Sequence, residues 1–117
     1  MEVSFFEDNL HYTLKISGEV DVSSSIILDN ALENALKETK KDILIDCHEL
    51  EYISSSGIGV FTSRVEDCEK SGQKIILYGV SPKIMKVFSI LGLDKLIPIF
   101  KSKEELNSLV DGGQNKS

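Results

Sequence analysis

The sequence predicts an α/β domain in which a mixed β-sheet carries its helices largely on one side. Three observations lead there. The apolar spacing opens with strict alternation, then switches back and forth between a helical period and short apolar runs. The switches fall at Ser, Gly and Pro, which start and stop elements for identifiable physical reasons. The strand-like runs after the first two alternate with helical stretches, an order that should close as a mixed sheet.

Phe5, then Leu10, Tyr12, Leu14 and Ile16 alternate with His11, Thr13, Lys15 and Ser17, which predicts a β-hairpin turning around Glu7-Asp8-Asn9 and ending at Gly18-Glu19-Val20-Asp21. Leu28, Ala31, Leu32, Ala35 and Leu36 then form one helical stripe, with the serines at 23–25 as hydroxyl cap candidates. Ile43 to Cys47 is too apolar to alternate and reads as a strand buried on both faces. Ile58, Phe61, Val65 and Cys68 restore helical spacing, and Gly72 is placed to stop that helix. Ile75 to Tyr78 is a second interior strand. Ser81-Pro82 supplies a cap and a first-turn proline for a helix facing inward with Ile84, Val87, Phe88 and Leu91, with Gly92 past its end. The proline in Ile97-Pro98-Ile99-Phe100 suits an edge strand. Ser102-Lys103-Glu104-Glu105 is a capping box ahead of Leu106, Leu109 and Val110. A single domain over 1–110 is expected, with 111–117, which has nothing to bury, as a disordered tail.

A chain of 117 residues buries about two-thirds of the surface it exposes when unfolded, so it needs neither disulfide nor metal to fold. Cys47 falls in a strand and Cys68 on the apolar side of a helix, as small buried hydrophobes. A net charge of −6 disfavours nucleic acid, whose phosphates require clustered Lys and Arg. No apolar run approaches a membrane span and the first residues resemble no secretion signal, so a cytoplasmic protein with no membrane or direct nucleic-acid partner is expected. No cofactor is called for, and His11 and His48 lack a metal-ligand spacing.

The most informative stretch is Tyr52-Ile53-Ser54-Ser55-Ser56-Gly57-Ile58-Gly59, three consecutive hydroxyls at the junction of a strand and a helix. There a hydroxyl caps free N–H groups, and the helix dipole favours added negative charge such as a phosphate. Plain capping is the alternative reading of the same residues. No glycine stands two places before Ser55 or Ser56, so the turn is not the Gly-x-Ser-x-Gly elbow of a serine hydrolase. Gly57-x-Gly59 without a third glycine is weak for a nucleotide.

The turn Gly18-Glu19-Val20-Asp21, the strand Ile43 to Asp46, the turn Ser54 to Gly59 and Gly92-Leu93 together resemble the bacterial anti-sigma factor antagonists, which are STAS domains, over about residues 3 to 110. The resemblance implies a STAS-like fold and a non-enzymatic partner-switching module. The unphosphorylated antagonist would bind an anti-sigma factor that is also a serine kinase and so free a sigma factor. Phosphorylation would break that complex, and a PP2C-type phosphatase would restore it. In the family's motif the phosphoacceptor stands two residues before the glycine, which here is Ser55 before Gly57, with Ser56 as the following hydroxyl. Ser54 occupies a position that is usually acidic. Asp21 matches an aspartate lying close to the phosphoacceptor, and it could equally close its own turn. The runner-up is a STAS scaffold or small-ligand or nucleotide sensor with the serines as caps.

Overall fold

The computed structural model describes residues 1–107. It contains a five-stranded sheet in the order β1-β2-β3-β4-β5, built from β1 (Glu2–Glu7), β2 (His11–Val20), β3 (Asp42–Ile53), β4 (Ile75–Tyr78) and β5 (Ile99–Phe100). β1 and β2 are antiparallel; every other neighbouring pair is parallel. Between the parallel strands run α1 (Ser25–Glu38), α2 (Ser55–Ser71) and α3 (Pro82–Ile90), the last followed by a 3-10 turn at Leu93–Lys95. The expected mixed sheet is therefore present, and the hairpin supplies its one antiparallel pair.

The three helices share one face of the sheet. Tyr12, Leu14 and Ile16 of β2, Ile43, Ile45 and Cys47 of β3 and Leu77 of β4 meet Leu28 and Leu32 of α1, Phe61 of α2 and Phe88 of α3 in one continuous core. The opposite face is partly covered by a helical segment at residues 103–107, where Leu106 packs with Leu44 and Tyr78. That explains why Ile43 to Cys47 is apolar without alternation: Ile43, Ile45 and Cys47 face α1–α3, and Leu44 faces the last segment. Ser102 caps this segment by accepting from the Glu105 N–H at 3.1 Å. Leu109, Val110 and the tail at 111–117 lie outside the described residues.

Several boundaries differ from expectation. The pairing of β1 with β2 ends at Glu2↔Ser17, so the hairpin stops ahead of Gly18 as expected, but β2 itself runs on to Val20 beside β3, with irregular register at Lys15/Ser17 and Gly18/Glu19. Gly18 absorbs the distortion at φ +90°, a value that strains any residue with a side chain. β3 is 12 residues long rather than the five of its apolar run. Its second half buries only Leu50 and Ile53 after Cys47, a spacing that no longer alternates, so periodicity could not reveal it. The serines at 23–25 do not supply a side-chain cap to α1; Ser24 occupies that position without one. By contrast Ser81 accepts from the Ile84 N–H ahead of Pro82, and Gly72 ends α2 at φ 77°, as expected.

Candidate functional site

The carboxyl ends of β2 and β3 project past β4, which pairs only with Ile43 through Asp46. At this tip the loops leading into α1 and α2 lie side by side, joined by a hydrogen bond of 2.8 Å from the Ser54 N–H to the Val20 carbonyl. That bond sets the residue before Asp21 against the first of the three serines, so the two turns are neighbours although Asp21 and Ser54 lie 33 positions apart in the sequence.

The three serines have different roles because α2 starts between the first and second. Ser54 is the N-cap in extended conformation, and its hydroxyl accepts from the Gly57 N–H at 3.3 Å. Its carbonyl accepts from Ile58, and the residue is buried. Ser55, the first helical residue, is exposed, and its hydroxyl has no partner among the described residues. Ser56 is half-buried and lines a groove of about 600 Å³ between α1 and α2. The N–H groups of Ser55 and Ser56 point out of the first turn, where any helix leaves donors unsatisfied. Gly57 is buried, and a Cβ there would lie 2.7 Å from Ile53 and 2.9 Å from Val20. Its contribution is close approach: it lets α2 begin directly against the ends of β2 and β3.

Asp21 is exposed and closes its own turn. One carboxylate oxygen accepts from the Ser24 N–H and from the hydroxyls of Ser23 and Ser24, each at 2.9 Å, while the Asp21 N–H donates to the Ser24 hydroxyl. The bond from the Ser24 N–H, followed by those from the two hydroxyls, holds the carboxyl down to about 2. Asp21 is thus a negative charge held by its own turn, the turn-closing role expected of it.

Two features of this surface escaped the sequence reading. Arg64, the sole arginine of the chain, lies against three carboxylates, donating to Asp29 at 2.8 Å, Asp67 at 3.0 Å and Glu33 at 3.3 Å. It straps α2 to α1 beside Ser56 and leaves the groove wall acidic. Its singularity was the signal available, but spacing alone does not reveal partners on another helix. Val22, Ile26 and Tyr52 are exposed apolar residues on the segments flanking the serines. Exposed positions are invisible to periodicity, which reports only the buried stripe.

Elsewhere, Cys47 and Cys68 are buried free thiols, and burial raises both pKa values, Cys68 to about 11, so neither is a nucleophile at neutral pH. His48 pairs with Asp46 at 2.8 Å. Among the described residues no group of acidic, His and Cys side chains is arranged to hold a metal, and no helix is long and apolar enough to cross a membrane.

The STAS domain model matches residues 4–106, and the chain belongs to the STAS domain family. It is 29% identical over 102 residues to an anti-sigma-B factor antagonist of Listeria monocytogenes, covering 86% of this chain and 88% of that protein. A Thermotoga maritima structure provisionally described as an anti-sigma factor antagonist has the same fold, with a TM-score of 0.82 at 19% identity over 93% of this chain and 94% of the other. The Bacillus cell fate determinant SpoIIAA in its phosphorylated form matches with a TM-score of 0.67 at 20% identity over 92% and 99% of the two chains.

Proposed function

We propose that this chain is an anti-sigma factor antagonist, a binding module rather than an enzyme, whose affinity for its partner is switched by phosphorylation of Ser55. Unphosphorylated, it engages an anti-sigma factor that is also a serine kinase, and the sigma factor is freed to act in transcription. Phosphorylated, it lets go, and a PP2C-type phosphatase resets it. On this reading the protein works in the cytoplasm, where kinase and ATP are found.

The observation that carries the reading is the division of labour within the triple serine. Ser54 is buried with its oxygen committed to the cap, whereas Ser55 is exposed with an uncommitted hydroxyl on the first turn of a 17-residue helix. A kinase can reach Ser55 without opening the fold, and a phosphate there meets free N–H groups and the positive end of the helix dipole. The likeness to anti-sigma-B factor antagonists across most of the chain supports the same partner class. Asp21 and the acidic α1–α2 groove then make the switch electrostatic. The phosphate adds about −1.5 to −2 to a surface already negative, which repels any acidic partner group and raises the desolvation cost of the interface.

Incubation with ATP and the kinase encoded nearest to it, followed by intact mass and phosphopeptide mapping, tests the assignment. One phosphate on Ser55, absent from Ser55→Ala, is the expected result. A phosphate mapped to Ser54 or Ser56 overturns the site. No phosphate with any serine kinase of the host favours a scaffold or ligand-sensing role instead.

A further inference from the structure

The sheet has two edges of unlike character. β5 is two residues long and follows Pro98, which keeps it from templating another strand. β1 is six residues long, pairs with β2 in unbroken register from Glu2↔Ser17 to Glu7↔Tyr12, and carries no Lys, Pro or bulge. Its charges sit only at its ends. Phe5 and Phe6 are 66% and 52% exposed. Phe5 stacks on Tyr12, with ring centroids 5.4 Å apart and nearly parallel rings, beside a groove of about 550 Å³ between β1 and α1 lined by Val3, Ile27 and Ala31.

The hairpin also fixes which backbone groups of β1 are unused. The Asp8 N–H donates to the His11 carbonyl, so alternation makes Phe6/Thr13, Ser4/Lys15 and Glu2/Ser17 the hydrogen-bonded pairs. Val3, Phe5 and Glu7 therefore turn their N–H and C=O groups away from β2, toward solvent.

We propose that this edge pairs with the β1 edge of a second copy of the chain, antiparallel across a twofold axis at Ser4, continuing one sheet through both molecules. The occupant follows from the edge's self-complementarity. Opposed residues of an antiparallel pair share a face, and the outward groups belong to odd-numbered positions. Centring on Ser4 sets Val3 against Phe5 of the second copy in reciprocal hydrogen-bonded pairs, twice by symmetry. Both side chains lie on the helix-bearing face, so a Val–Phe strip fills the space between the two copies of α1 and covers the groove. On the other face Glu2 meets Phe6, so no two carboxylates are opposed. The register centred on Phe5 sets Glu7 against Val3 and drives a carboxylate into the apolar strip, that centred on Phe6 opposes Glu7 to Phe5, and that centred on Val3 pairs fewer residues. The inference rests on β1 alone and not on the serine turn.

Sedimentation equilibrium of the full chain at low and moderate salt tests association. Because each copy carries −6, screening should tighten the dimer, so the dissociation constant is expected to fall as salt rises. Phe5→Lys should raise it at least tenfold. Val3→Pro should do the same while sparing the β2 ladder, because only an outward N–H is lost. In the Ser4→Cys variant the opposed Cα atoms would be about 4.5 Å apart, within the disulfide range of about 4.4–6.8 Å. Mild oxidation should then link it much faster than Ser89→Cys, placed on the exposed side of α3. A wild-type chain that sediments as a monomer at every concentration and salt overturns the proposal. A dimer in which Ser4→Cys links no faster than Ser89→Cys overturns the edge.

Discussion

At the scale of single residues, the site depends on hydroxyls and one carboxylate whose surroundings differ although their chemistry is alike. Ser54 and Ser55 are adjacent, yet only the first holds a backbone N–H. Ser54→Ala should therefore cost about 1 kcal/mol of stability, the usual loss of an N-cap, while Ser55→Ala leaves the denaturant midpoint unchanged. Equal midpoints for the two variants in urea titrations would contradict the capping geometry. Asp21 makes a pH prediction. Its folded pKa of about 2 lies below the unfolded value of about 3.9, so its stabilising bonds are fully present above about pH 4 and are lost as pH falls through about 2. Carboxyl-carbon NMR should show a midpoint near 2, with the amide of Ser24 shifting over the same range. A midpoint near 4 would mean that the turn does not hold the carboxylate.

At the scale of elements, the position of α2 is set by a close approach at its first turn and by the Arg64 strap further along. Gly57→Ala puts a methyl within 3 Å of Val20 and Ile53, and neither side chain can withdraw without disturbing the core. Overpacking of this kind costs about 1–3 kcal/mol, so the melting midpoint should drop and the serine turn should shift with the helix. Unchanged stability and unchanged amide shifts at Ser54–Ser56 would show that the approach is looser than the geometry implies. The segment from residue 103 is held by Leu106, buried against Leu44 and Tyr78. Leu106→Ala should cost about 2–4 kcal/mol and expose the second face of the sheet, with faster amide exchange at Leu44 and Tyr78. Wild-type exchange there would mean that the segment contributes nothing to that face.

For the whole molecule, the tip where Ser55 lies is tied down by contacts from several segments. Asp21 is bonded within its turn, Ser54 is bonded to Val20, and Gly57 is packed against the strands. A phosphate on Ser55 gains up to about 1 kcal/mol from the helix dipole against the negative surface around it, so the fold is not expected to yield. Phosphorylation should leave the far-UV circular dichroism and melting midpoint close to those of the unmodified protein while partner affinity falls at least tenfold, about 1.4 kcal/mol. A large loss of helical signal on phosphorylation would make the switch conformational and end the surface-electrostatic account.

Much of this architecture is written locally. The alternation of Tyr12, Leu14 and Ile16, the stripes of α1 and α2, the Ser81-Pro82 start and the Gly72 stop are each decided within a few residues by period, cap or permitted dihedral. So is the presence of a hydroxyl-rich turn at the amino end of a helix, because the residues before and after it declare strand and helix on their own. What the sequence could not decide is which serine is exposed, that Val20 is bonded to Ser54, that β3 runs on to Ile53, and that Arg64 ties α2 to α1. Each of these depends on contacts between segments far apart in the chain: Ser54 with Val20, Gly57 with both strand ends, Arg64 with Asp29 and Glu33. Where α2 starts and how it packs against the strand ends together turn one of three identical side chains outward.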